Sequence, residues 1–199
     1  EEQFDFAMNK TLKIIKFGKE KDSLPFAVFK PTGFGRFEVY RKITENEELT
    51  AEEQAEWERV NDRYNKVSKA AYGAGIPLLI DAEETWMQTA ADDLIEDMMR
   101  KYNKEKVAIF GTLQLYRWDR MDYLKDLHAR AKKEGFKVGM KLVRGAYMEK
   151  ERERAAEKGY KDPICVDKAA TDAMYNQVQQ YMVEHLDDMA IFSGTHNEE

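Results

Sequence analysis

Five short apolar runs in this chain each end in residues that could do chemistry. Phe26–Phe29 ends in Lys30, and Leu78–Ile80 ends in Asp81 with Glu83 and Glu84 close behind. Val107–Phe110, continued by Thr112 and Leu113, carries Gln114. Val138–Val143 carries Lys141 and runs into Arg144-Gly145-Ala146-Tyr147, and Met189–Phe192 leads to Thr195-His196-Asn197. Cations, a carboxylate, amides, a histidine and a tyrosine suit an anionic ligand held against a neutral face. Polar groups behind every run are hard to explain as core filling, because a buried amide or charge must find partners.

Each residue also has a plainer reading. Lys30 precedes Pro31 and could run its stem along a strand end with its ammonium in water. Asp81 is either the N-cap of the next helix or an internal carboxylate paired with a cation. Gln114 either bonds a neighbouring strand or faces a site. Gly145-Ala146 is a plain turn or a place where a planar ring or phosphate approaches the backbone closely. His128 and His185 lie in helical patterns and read as ordinary surface or helix residues. Cys165 reads as passive, and Met98, Met99, Met148 and Met174 as packing residues.

The elements that must hold these groups follow from the spacing. Each run has the length of a buried strand, and helical stretches over about 50–72, 85–102, 119–134 and 166–185 separate them. Strands alternating with helices imply βαβ units and a parallel sheet, in which chemistry collects at the C-terminal strand ends. On this pattern a doubly wound sheet and a barrel both remain open. A helical lead-in over 1–24 precedes the first strand. Thr44 to Glu58 holds seven glutamates. The stretch 44–75 accordingly reads as a charged, solvated helical insertion.

Composition narrows the class. The chain has 199 residues, 43% hydrophobic and 35% charged, with a net charge of −6 and a mean hydropathy of −0.73. No run approaches the roughly 18 apolar residues of a membrane span. No basic stripe marks a nucleic-acid surface. One cysteine permits no internal disulfide. No P-loop, Gly-x-Gly-x-x-Gly, metal-ligand spacing or Ser-His-Asp order occurs.

Ile80-Asp81-Ala82-Glu83-Glu84-Thr85-Trp86, Thr112-Leu113-Gln114-Leu115-Tyr116, Lys141-Leu142-Val143-Arg144-Gly145-Ala146-Tyr147 and Thr195-His196-Asn197-Glu198 together resemble proline dehydrogenase. Lys141–Arg154, Asp162-Pro163 and Ala170–Tyr175 are similar to its mitochondrial-type branch. The resemblance covers about residues 25–199. It implies an α/β fold, a (β/α)8 TIM-like barrel incomplete in this chain, with about five strands present. It also implies FAD at the C-terminal strand ends and oxidation of L-proline to Δ1-pyrroline-5-carboxylate. By position in the family's motifs, Lys30, Asp81 and Tyr147 would serve the substrate. Asp81, Gln114, Lys141, Val143, Gly145, Ala146, Lys168, Thr171, Thr195, His196 and Asn197 would contact FAD.

Two departures accompany the resemblance. Much of the family has Arg where Lys141 stands and Lys where Arg144 stands, a swap shared by the mitochondrial-type branch. The family's later tyrosine pair and adjacent arginines are not in these 199 residues. Other readings are 4-hydroxyproline oxidation, an inactive truncated fragment, and a barrel lyase using Lys30 or Lys141 as a Schiff-base amine. The implied partners are L-proline and a quinone acceptor at a membrane surface, with no nucleic acid. The implied location is the cytoplasm, peripheral to the inner membrane, or the mitochondrial matrix in a eukaryote.

Overall fold

In the computed structural model, residues 1–19, 21 and 25–197 are described. Glu198, the last residue of the fourth motif, lies outside them. The lead-in forms α1 (Glu2–Lys19), followed by β1 (Ala27–Phe29), a 3-10 turn (Pro31–Gly33), α2 (Phe37–Thr44) and α3 (Ala51–Ala74). Then come β2 (Leu78–Ile80), α4 (Thr85–Tyr102), β3 (Ile109–Gln114), α5 (Arg120–Glu134) and β4 (Val138–Val143). The last elements are α6 (Met148–Lys158), α7 (Lys168–Glu184) and β5 (Met189–Ser193). Pairing is parallel throughout, in the order β1-β2-β3-β4-β5. A doubly wound sheet must reverse its strand order at a switch point. This one never reverses, so the choice left open by the sequence falls to the barrel. The arc curls strongly enough that Phe26, before β1, and Phe192, on β5, meet ring to ring at 4.9 Å.

Alternation along each strand divides the residues between two interiors. Ala27, Phe29, Leu78, Ile80, Ile109, Leu113, Val138, Met140, Leu142 and Met189 join one helix-packed core. The opposite parity, which includes Val28, Thr112, Gln114, Lys141 and Val143, faces the barrel axis. Val28 is 45% exposed there, because β1 is an edge.

The helices begin and end for local reasons. Thr50 and Glu53 form a reciprocal capping box at the start of α3, which satisfies donors the first turn leaves free. Asp167 caps α7 by accepting from the Ala170 amide at 2.8 Å. The 44–75 stretch, expected to be solvated, is wet on one face only. Val60, Tyr64, Val67 and Ala71 of α3 are fully buried, and Glu53 and Glu56 are buried against Lys42 and Arg36. Most of this stretch is the crossover helix between β1 and β2.

Asn103 and Gly139 secure the N-terminal end of the sheet. Asn103 is fully buried, and its side chain accepts from the Ala108 and Ile109 amides, both at 2.9 Å. The same amide donates to the Ile109 carbonyl at 2.8 Å and the Lys137 carbonyl at 3.1 Å. It therefore joins the entrances of β3 and β4. Gly139 leaves room for the β3 entrance, since a Cβ there would lie 2.5 Å from the Ile109 carbonyl oxygen and 3.0 Å from the Phe110 ring. Asn103→Ala strands several buried backbone groups, each costing about 1–3 kcal/mol. We expect about 3 kcal/mol or more of destabilisation in urea unfolding. A loss below about 1 kcal/mol would contradict the bridging role.

Candidate functional site

The C-terminal strand ends open into a two-lobed groove. The first lobe, about 410 Å³, is lined by residues from all five strand ends, among them Lys30, Asp81, Gln114, Lys141 and Thr195. Val143, Gly145, Ala146, Tyr147, His196 and Asn197 complete the expected set in this lobe. Lys168 and Thr171 line the second lobe, about 890 Å³, which shares Arg144 to Tyr147 with the first. Every residue that the family's motifs assign to substrate or FAD thus borders one of two lobes that share Arg144 to Tyr147.

The side chains inside it are fixed by specific partners. Asp81 pairs with Lys141 and does not cap α4, whose N-cap Glu84 makes no side-chain cap bond. The paired-carboxylate reading of Asp81 therefore holds. Lys30 donates to the Tyr147 hydroxyl at 3.3 Å, and this contact holds its ammonium above the usual lysine range. Gln114 is 3% exposed, and its Oε1 has no hydrogen-bond partner among the described residues. It does not make the cross-strand bond that would have explained it as core. The neighbouring polar residue Thr112 does make one, giving its hydroxyl proton to the Ile80 carbonyl at 2.7 Å.

Gly145 is where the backbone itself shapes the groove. Its φ of 134° lies in the region that disfavours side chains, and a Cβ would sit 2.5 Å from the Tyr116 ring. A residue with a side chain fails there on both counts.

Some contributors were missed or misread from sequence. Arg144, by sequence one strand-end cation among several, borders both lobes. It binds Asp172 at 2.6 Å and Thr195 at 2.7 Å and lies 4.7 Å from the Tyr175 ring centroid. Thr112 could have been found, since it shares parity with Gln114 and pairs in register with Lys141. Met148, read as a packing residue, is 45% exposed and lines the second lobe, and Cys165 lines it too. Cys165 is buried and that burial pushes its thiol up. His128 is not at the surface. It is 4% exposed on α5, bonded to Tyr181 at 2.8 Å and Asp188 at 3.0 Å, and lines neither lobe.

Far-apart segments build the outer wall. The Trp118 indole donates to the Asp162 carbonyl at 2.9 Å, and Arg117 bridges Ile164. Burial works against ionising Asp119, but the Arg120 and Arg117 guanidiniums bring its carboxyl down to about 2. The loop after β3 is thereby held to both α5 and the segment before α7.

A flavin dinucleotide suits this lining. An unpartnered buried amide oxygen, a flat floor at Gly145 and cations along both lobes match a polar-edged planar ring joined to a diphosphate.

Known proteins resemble the chain in sequence and in fold. The carbapenem antibiotics biosynthesis protein CarD of Pectobacterium carotovorum subsp. carotovorum is 38% identical over 199 residues, all of this chain and 52% of that protein. Proline dehydrogenase 1, mitochondrial, of Homo sapiens is 41% identical over 154 residues, 76% of this chain and 26% of that protein. The chain thus spans about half or less of the length of these relatives. Among solved structures, proline utilization A from Bdellovibrio bacteriovorus inactivated by N-propargylglycine superposes with a TM-score of 0.82. At 18% identity, over 99% of this chain and 21% of that one, it bears on the fold alone. A family profile described as proline dehydrogenase matches residues 1–199, and the chain belongs to that family.

Proposed function

We propose that the polypeptide containing this chain oxidises L-proline to Δ1-pyrroline-5-carboxylate with FAD. One observation carries the substrate side of this reading. Lys141, Arg144, Lys150, Arg152 and Lys168 border the groove and each has a carboxylate partner. Among the described residues, Lys30 is the groove cation whose contact is a neutral hydroxyl instead. An ammonium with no carboxylate in direct contact, lining a groove, is a ready anchor for a small carboxylate.

When bound, FAD supplies the two-electron acceptor for the hydride leaving the ring carbon next to nitrogen. Lys30 holds the substrate carboxylate and Tyr147 walls its ring. Asp81 fixes the Lys141 ammonium at the inner rim, where a cation favours negative charge on an adjoining ring edge. Gln114 offers its amide to that ring, beside Val143, Gly145 and Ala146. Thr195, His196 and Asn197 close the same side, and Arg144, Lys168 and Thr171 suit the diphosphate half. A Schiff-base lyase fits less well. Such a lysine needs a lowered pKa, whereas Lys30 is held up; the Lys141 amine is tied to Asp81 in an ion pair and is not free to attack a carbonyl.

Electrons would pass on to a quinone at a membrane surface. No helix among the described residues is long and apolar enough to cross a membrane. Relatives named as mitochondrial favour the matrix for a eukaryotic chain, and a bacterial one would sit in the cytoplasm against the inner membrane.

Anaerobic addition of L-proline to the flavin-loaded polypeptide is expected to bleach the flavin absorbance, and an unbleached spectrum would overturn the reading. Lys30→Met removes a charge-assisted contact of about 1.5–3 kcal/mol, about 10- to 150-fold in affinity. The proline concentration for half-saturation should rise by that order. Gly145→Ala should displace the Tyr116 ring that its Cβ would meet, lower stability, and release the flavin on gel filtration of whatever protein folds. A yellow, active Gly145→Ala protein would show that the close approach at this glycine is not needed.

A further inference from the structure

Two buried carboxylates outside the groove link the loops that carry Lys30 and Tyr147. Glu83, 6% exposed, accepts from the Thr32 amide and the Thr32 hydroxyl, both at 2.9 Å. Thr32 lies two residues beyond Lys30, so Glu83 clamps the loop after β1 to the loop after β2. Glu151 of α6 is fully buried and accepts from the Thr85 amide at 2.7 Å and the Thr85 hydroxyl at 2.6 Å. Thr85 opens α4, whose own N-cap supplies no side-chain bond. Glu151 therefore caps α4 from another helix, where a negative charge is favoured. Its own amide donates to the Tyr147 carbonyl at 2.9 Å. Lys150 adds a contact to Glu84 at 3.1 Å.

These bonds close a ring. It runs from Lys30 and Thr32 to Glu83, through Thr85 to Glu151, on to Tyr147, and back to Lys30 through the 3.3 Å contact. Of its contacts only the last lies inside the groove, and it is also the longest. Rigid, buried links elsewhere in the ring therefore set where its two groove members stand. We propose that Glu83 and Glu151 are positioning residues that fix the separation of Lys30 and Tyr147, and with it the fit of a small cyclic carboxylate between them. The part concerning the carboxylate rests on the proposed proline-oxidising function. The part concerning the ring does not.

The test uses the complete flavin-loaded polypeptide and two readouts. One is the half-saturating concentration of L-proline set against kcat. The other, made without substrate, is the rate at which acetic anhydride modifies Lys30, followed by mass spectrometry. The Tyr147 contact first, and the charges of Glu83 and Asp81 after it, hold the Lys30 ammonium above the usual range. Tyr147→Phe calibrates loss of the contact, and the charge-free Glu83→Gln separates the loss of position from the loss of charge. Glu83→Ala and Glu151→Ala should each raise the half-saturating concentration fivefold or more with kcat changed less than twofold. They should also speed Lys30 modification at least threefold, leaving Lys10 and Lys13 unchanged. Glu83→Gln and Glu151→Gln keep an acceptor for the amide and a partner for the hydroxyl, and should restore both readouts to within twofold. Should the alanine variants not fold, Thr32→Val and Thr85→Val remove one bond each and should shift both readouts at least twofold. Folded variants with unchanged Lys30 modification would overturn the positioning role. Faster modification, with no proline turnover even in the unaltered protein, would uphold the ring and sink the substrate reading alone.

Discussion

Every strand here serves two interiors at once, and that constraint organises the molecule. The sheet winds in one direction only, so one parity of each strand meets helices and the other meets the barrel axis. Apolar packing against the helices stabilises the arc. The axial parity is thereby released from the core near its C-terminal end and carries Thr112, Gln114, Lys141 and Val143 into the groove. The opposite end is filled by Phe110 over the bare Gly139 backbone, and Asn103 replaces ladder bonds that the diverging strand entrances cannot make.

The groove's electrostatics follow from the same layout. Strand ends bring cations from β1 and β4 close together, and five of the six bordering cations are neutralised by carboxylates drawn from β2, α7 and neighbouring loops. Pairing orients the side chains and lowers the cost of collecting like charges in one place. It also leaves Lys30 distinct, since its partner is an uncharged hydroxyl. Lys30 is thus the bordering cation with no carboxylate in direct contact, while the rest of the positive lining is held in fixed geometry.

Position in this site is maintained from outside it. The carboxylates Glu83 and Glu151 are buried, bonded twice each, and belong to loops and helices behind the groove. Asp119 does similar work for the wall after β3, between Arg117 and Arg120. Loops that carry function on a barrel need such supports, because their backbones lack the ladder bonds of the strands they follow.

Much of this was legible in the chain itself. Run length and periodicity gave the five strands within two residues or so at their ends and four of the five long helices, with α1 expected as a helical lead-in, because burial of one face is local in its sequence signature. Motif order placed the strand-end residues, which the structure gathers around one groove. Tertiary structure alone decided the remainder. Winding direction separates a barrel from a doubly wound sheet, and it is a relation between strands. Asp81 as ion-pair partner, the unsatisfied Gln114 oxygen and the buried face of the 44–75 stretch depend on what lies opposite each side chain. The ring through Glu83 and Glu151 joins residues 51 and 66 positions apart, and no periodicity reports contacts at that range. The sequence determined which groups stand at the strand ends. Folding determined which of them are neutralised, which are free and what holds them apart, because charge pairing and burial are set by three-dimensional neighbours.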